Sequence, residues 1–171
     1  NLELNQVNFY LVDERYVPID FTDSNFKLIY ESLIRHKKIK SFSFFDTNLE
    51  IKESLKAYSE KLLLIPNRVF DLIILGIGSD GHIASLFPQT IENLQENQLT
   101  MHTKTNIFNV KNRLTITPSM ILKAKKILVL LQGEEKKDII TELIDGKKDL
   151  NNFPAKILND HANTTIHYLE N

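Results

Sequence analysis

The chain has 171 residues, with 21 basic and 22 acidic side chains and a net charge of −1, enough for one domain that hides roughly 70% of the surface its unfolded chain would expose. Hydrophobic content of 42% and charged content of 25% are ordinary for a globular protein, and the balanced charge gives no electrostatic reason to expect nucleic acid or an anionic membrane as a partner. The absence of cysteine excludes disulfides, thiolate metal sites and thiol nucleophiles and fits a reducing, cytoplasmic setting, and no apolar run approaches the ~20 residues of a membrane helix.

The first residues, NLELNQ, have neither the basic nor the apolar character of a signal segment. They run almost directly into a strand, so the chain is expected to be trimmed at its front. That strand is Val7 to Val12. It ends in Asp13-Glu14-Arg15, three charges that read either as a solvated turn or as the rim of a polar pocket. Asp23-Ser24-Asn25 is a helix N-cap signal, and Phe26, Ile29, Tyr30, Leu33 and Ile34 then fall on one helical face. Phe42 to Phe45 reads as a short strand. Thr47 or Asn48 is the expected cap of a second helix, whose stripe is Ile51, Leu55, Tyr58 and Leu62 and which Pro66 stops.

Val69 to Leu75 is an apolar run of the right length for a strand buried on both faces. It breaks into Gly76-Ile77-Gly78-Ser79-Asp80-Gly81-His82. From Gln89 to Asn112 the chain is polar and poorly ordered by pattern, with short edge strands expected near Leu99 to Thr103 and Ile107 to Val110. His102 reads as an edge residue. Arg113 to Thr117 alternates like a strand, and Pro118 suits the first position of a short helix. Ile127 to Leu131 is another apolar strand, followed by a helix from Glu134 to Asp145 that Gly146 ends. Phe153 to Leu158 is a short segment laid across the sheet, and Thr164 to Leu169 is a last strand. His161 and His167 read as surface or strand-face residues rather than ligands. Strands alternate with helices, which argues for an α/β fold with a mainly parallel sheet covered by helices on both faces, in one domain spanning 1–171.

Gly76 to Gly81 matches the G-x-G-x-x-G dinucleotide fingerprint. The fingerprint needs its third glycine to open a long helix, and Pro88 arrives only seven residues later, so a nucleotide role is set aside. Glu92 and Glu96 are ribose acceptors by spacing alone, with nothing else to support them. His82 carries more weight. It sits in a glycine loop after a strand, where open α/β sheets collect ligands, and an imidazole exchanges protons near neutrality. Asp80 can orient it. A metal role is disfavoured because no second histidine lies at ligand spacing. Lys136 at a helix start, Arg113 at a strand start and Arg15 at a strand end are cations suited to a phosphorylated substrate.

Phe70 to Pro88, FDLIILGIGSDGHIASLFP, closely resembles the signature of 6-phosphogluconolactonases. Val12-Asp13-Glu14-Arg15-Tyr16-Val17-Pro18 with Asp23-Ser24-Asn25, Arg113-Leu114-Thr115, Gly133-Glu134-Glu135-Lys136 and Pro154-Ala155 match further blocks of the same family, in order. The resemblance implies hydrolysis of 6-phospho-D-glucono-1,5-lactone in the oxidative pentose phosphate pathway, without metal or organic cofactor. It implies the three-layer Rossmann-like fold shared with glucosamine-6-phosphate deaminases. His82 is then the base, Asp80 its orienting group and Arg15 the oxyanion stabiliser. Lys136 and Arg113 hold phosphate, and Asn25, Gly78 and Ser79 complete substrate or phosphate binding. Family members begin with a further strand–helix region bearing a Gly-rich phosphate loop that has no counterpart here, and some are fused to glucose-6-phosphate dehydrogenase. The alternatives are a glucosamine-6-phosphate deaminase and a non-catalytic sugar-phosphate binding domain. Arg15 and Ser85-Leu86-Phe87-Pro88 stand where the deaminases carry a tyrosine and Phe-Asn-Glu-Pro, which favours the lactonase.

Overall fold

A computed structural model describes residues 3–91 and 97–170. In chain order the elements are β1 (Asn8–Tyr10), β2 (Asp13–Arg15), α1 (Asn25–Ile29), β3 (Ser41–Ser43), α2 (Ile51–Leu63), β4 (Ile73–Leu75), β5 (Thr100–Lys104), β6 (Asn112–Ile116), α3 (Pro118–Leu122), β7 (Ile127–Gln132), α4 (Lys136–Asp145) and β8 (Thr164–Leu169). A π turn, Tyr30–Ile34, extends α1, and a 3-10 helix, Pro154–Asp160, precedes β8. These pack as two compact units, Asn1–Leu64 with Thr100–Thr115, and Ile65–Leu99 with Ile116–Asn171.

In the first unit β1 lies parallel to β3, with Phe9 opposite Phe42. A second sheet has the order β2-β6-β5, and β2 runs antiparallel to β6. The predicted stripe of α2 is confirmed by Tyr58 and Leu62, 1% and 0% exposed. Burying a phenol costs free energy unless its hydroxyl is paired, and the Tyr58 hydroxyl donates to the Leu11 carbonyl at 2.6 Å. Its ring lies 4.0 Å from Phe45. A second aromatic cluster, Phe26, Tyr30, Phe42 and Phe44, joins the extended α1 to β3.

The solvated-turn reading of Asp13-Glu14-Arg15 does not hold. The three residues are a strand, and alternation along it turns Glu14 inward to 1% exposure. Its carboxylate meets the start of α1. Oε1 accepts from the Arg15 and Asn25 N–H groups at 2.7 and 2.6 Å, and Oε2 accepts from the Phe26 N–H at 2.7 Å and the Ser24 hydroxyl at 3.3 Å. Ser24 is the N-cap, as its sequence signal indicated, and accepts from the Lys27 N–H. Two residues thus satisfy donors that a helix start leaves over. The expected cap of α2 is not found. Glu50 holds that position without a side-chain bond, and Asp46 accepts from the Asn48 N–H instead.

The second unit is built on the parallel sheet β4-β7-β8, with Ile73 opposite Ile127 and Ile127 opposite Thr164. One face carries Ile73, Leu75, Ile127, Val129 and Leu131 into a core shared with Met120, Ile121, Leu143, Phe153 and Leu158. The other face shows Leu72, Ile74 and Leu130, each about half exposed. The run Val69 to Leu75 is therefore shorter as a strand than expected, and among the described residues it is not buried on both faces. Ile107 to Val110 forms no strand, and Ile107 is exposed. His161 is bonded through Nε2 to the Ala124 carbonyl and through Nδ1 to Thr164, so it ties its loop to the chain rather than lying free at the surface. Among the described residues no helix is long and apolar enough to cross a membrane.

Burial raises the Glu14 pKa, and the three backbone donors only partly offset it. A carboxyl raised by folding adds stability below its unfolded value and loses it as pH rises through the folded one. Glu14→Gln should therefore flatten the decline of stability across the carboxylate range. It also turns an amide NH2 toward N–H donors, which should cost about 1–3 kcal/mol. Urea melts of both proteins from pH 4 to 8 measure the two effects.

Candidate active site

The loop after β4 is shaped by what its glycines allow. A Cβ on Gly78 would overlap the His82 ring. Gly81 has φ +84°, a left-handed conformation that side chains disfavour, and a Cβ there would strike the Phe153 ring. The turn closes on itself. The Gly78 N–H donates to the His82 carbonyl at 2.9 Å, and the Gly81 N–H donates to the Gly78 carbonyl at 3.0 Å. Among the described residues no helix opens between Gly81 and Ile91. Instead Ile83 bridges to Leu86 around Ala84 at φ +49°. The dinucleotide fingerprint is thus a coincidence of letters. Glu92 and Glu96 lie outside the described residues.

The turn brings Asp80 and His82 together. Asp80 Oδ1 lies 2.5 Å from His82 Nδ1 and 3.2 Å from the His82 N–H. Burial pushes the Asp80 carboxyl up, but the hydrogen bonds from His82, and its charge when protonated, outweigh it and hold the pKa below the usual value. An ionised carboxylate only accepts. Nδ1 therefore carries the proton, and Nε2 is the basic nitrogen of the neutral ring. The second carboxylate oxygen, Oδ2, is buried without a hydrogen-bond partner among the described residues, which makes the His82 bonds the main compensation for the buried charge. Phe87, 3% exposed, packs against the imidazole with ring centroids 4.8 Å apart.

Lys136 opens α4, and its ammonium donates to the Ile77 carbonyl at 2.8 Å. The Gly-x-x-Lys spacing after β7 therefore delivers a cation to the same loop as His82. Ser79 is exposed at the tip of that loop, while the Gly78 N–H is occupied by the His82 carbonyl. His82, Asp80, Gly78, Ser79 and Lys136 thus come together within the second unit.

Arg15, Arg113 and Asn25 come together within the first. Arg15 and Arg113 are direct partners across β2 and β6. Like charges placed so oppose each other. Burial and then the Arg15 charge lower the Arg113 pKa, against Asp13, Asp23 and Glu14. Arg113 is 7% exposed, donates from Nε to the Val110 carbonyl at 2.9 Å and lies 5.7 Å from the Phe108 ring. Arg15 donates to the Asp23 carbonyl at 2.9 Å. The Asn25 side chain donates to the Asp13 carbonyl at 3.1 Å. Sequence reasoning passed over Glu14, which anchors both the Arg15 and Asn25 backbones. No local signal marked it, because only the pairing of β2 with β6 turns Glu14 inward toward the N-cap Ser24.

Paired guanidiniums suit an anion, and an Asp-oriented imidazole suits proton transfer. Among the described residues no group of three or more His, Cys, Asp or Glu is placed to hold a metal ion. The chain is 35% identical to a 6-phosphogluconolactonase of Thermotoga maritima over 142 residues, covering 82% of this chain and 63% of that protein. It is 30% identical to the human GDH/6PGL endoplasmic bifunctional protein, covering 95% of this chain and 22% of that one. A crystal structure of 6-phosphogluconolactonase from Thermotoga maritima superimposes with a TM-score of 0.87 at 31% identity, over 100% of this chain and 76% of the other. That likeness bears out the three-layer α/β fold that the family resemblance implied. The family model for glucosamine-6-phosphate isomerases and 6-phosphogluconolactonase matches residues 1–167, and the chain belongs to that family.

Proposed function

We propose that residues 1–171 act as one 6-phosphogluconolactonase-like domain that hydrolyses 6-phospho-D-glucono-1,5-lactone to 6-phospho-D-gluconate. The observation that carries this reading is the Asp80–His82 pair on a glycine turn at the carboxyl end of β4. Nε2 of His82 takes a proton from water as the water oxygen bonds to the lactone carbonyl carbon. The carbonyl oxygen becomes an oxyanion, whose charge is assigned to Arg15. Collapse breaks the ring ester bond, and the departing ring oxygen takes the proton back from His82. Asp80 holds Nδ1–H throughout and stabilises the imidazolium. Lys136 and Arg113 are assigned the phosphate, whose binding holds the carbonyl in reach of the base. Asn25, Gly78 and Ser79 are assigned to substrate contacts. Since the Gly78 N–H is committed to the His82 carbonyl, its part is to keep the ring position clear.

The cysteine-free composition suits a reducing, cytoplasmic setting, and the likeness to 6-phosphogluconolactonases supports a place in the oxidative pentose phosphate pathway. The likeness to a bifunctional GDH/6PGL protein makes a glucose-6-phosphate dehydrogenase the partner to test, by fusion or association.

His82→Ala should lower kcat by roughly 10²- to 10⁴-fold, measured below the variant's thermal midpoint, which should itself fall because Asp80 loses its main partner. Full turnover by the folded variant would remove His82 from the role. Lys136→Ala should raise KM for the phosphorylated lactone by roughly 10- to 100-fold through a lost charged contact, with a smaller fall in kcat. A change confined to kcat would place Lys136 away from the phosphate. Both are read in a lactone hydrolysis assay, with ammonia release from glucosamine 6-phosphate as the control for deaminase activity.

A further inference from the structure

Pro154 and Ala155 take no part in the chemistry above, yet they open a 3-10 helix against the His82 turn. Proline at the first helical position has no N–H. The first donor of this helix is therefore the Ala155 N–H, and it points out of the helix to the Gly81 carbonyl at 2.9 Å. Phe153, 1% exposed, lays its ring on Gly81, where any side chain would collide with it. Gly81 is the single residue between Asp80 and His82. Its N–H is held by Gly78 and its carbonyl by Ala155, so both of its peptide groups are fixed.

Phe153 is itself restrained. Its N–H donates to the Asp149 carbonyl at 2.8 Å, and the Lys148 ammonium lies 5.8 Å from its ring. The Gln89 side chain, beyond His82 in the chain, donates to Asn152 at 3.1 Å, and its N–H donates to the Asn151 carbonyl at 2.8 Å. The segment 148–155 thus grips the chain on both sides of the histidine.

We propose that Phe153 and the Ala155 N–H form a positioning clamp on the Gly81 turn, which holds Asp80 in contact with His82 Nδ1. Phe153 is a positioning residue, acting through Gly81 with no contact to substrate. The inference rests on the reading of His82 as the base. Without the ring, Gly81 gains room to leave its left-handed conformation, and the Asp80–His82 contact opens. A displacement near 1 Å at a reacting group is enough to cost roughly 100-fold in rate.

The test compares Phe153→Ala and Phe153→Leu in the whole protein, with Phe153→Val read in place of the alanine variant if that one does not fold. Three quantities are measured below the thermal midpoint: kcat and KM for the phosphorylated lactone, the far-downfield proton resonance of Nδ1–H between Asp80 and His82, and circular dichroism for folding. Folded Phe153→Ala should lose roughly 10- to 100-fold in kcat with KM changed less than about threefold, and its downfield resonance should broaden or vanish. Phe153→Leu should recover most of both. A folded alanine variant that keeps the resonance overturns the clamp, as does an activity loss that only tracks the unfolded fraction. A resonance lost in the alanine variant while the wild type shows no lactonase activity leaves the clamp standing and defeats the catalytic reading.

Discussion

A hydrogen bond between a half-buried carboxylate and an imidazole two residues away organises the loop after β4. The bond exists because the turn between them contains Gly81 in a left-handed conformation and because Gly78 leaves space where the ring lies. Burial alone would favour a protonated Asp80. The His82 ring reverses that preference, so the carboxylate stays ionised and imposes one tautomer on the imidazole. Geometry and electrostatics therefore decide together which nitrogen can accept a proton. Neither glycine nor aspartate touches the reacting atoms in this scheme, yet both are needed for the ring to be useful.

The first unit solves a related problem with different parts. Glu14 is a buried carboxylate, and its compensation comes from backbone N–H groups at the start of α1 and from Ser24. There desolvation wins over the donors. The contrast with Asp80 is physical. Glu14 is the more deeply buried of the two, at 1% exposure, whereas Asp80 is only half-buried and accepts from the His82 ring and N–H. Glu14 consequently serves architecture, setting the backbone that carries Arg15 and Asn25, while Asp80 serves a group that exchanges protons.

Much of this was legible in the sequence because it depends on local rules. The Ser24 cap, the α2 stripe, Pro118 at a helix start and the strand-to-loop passage into His82 each follow from residues within a few positions of one another. The dinucleotide pattern could be set aside for the same kind of reason, since Pro88 leaves no room for the required helix. What was hidden depends on long-range packing. Phe153 meets Gly81 from 72 positions further along the chain, and no periodicity announces such a meeting. The half exposure of Leu72, Ile74 and Leu130 could not be read from an apolar run, which looks alike whether one face or two are covered. Glu14 was misjudged because three successive charges resemble a turn, and only pairing with β6 shows that the middle one faces inward.

The claim beneath all of this is that Nε2 of His82 meets the reacting carbon of a phosphorylated sugar ester. A crystal structure of the protein with its product, 6-phosphogluconate, measures that directly. The expected result places a carboxylate oxygen of the product within hydrogen-bond distance of Nε2, with Nδ1 still on Asp80. A product bound with its carboxylate elsewhere, or with its phosphate against the imidazole, would contradict it.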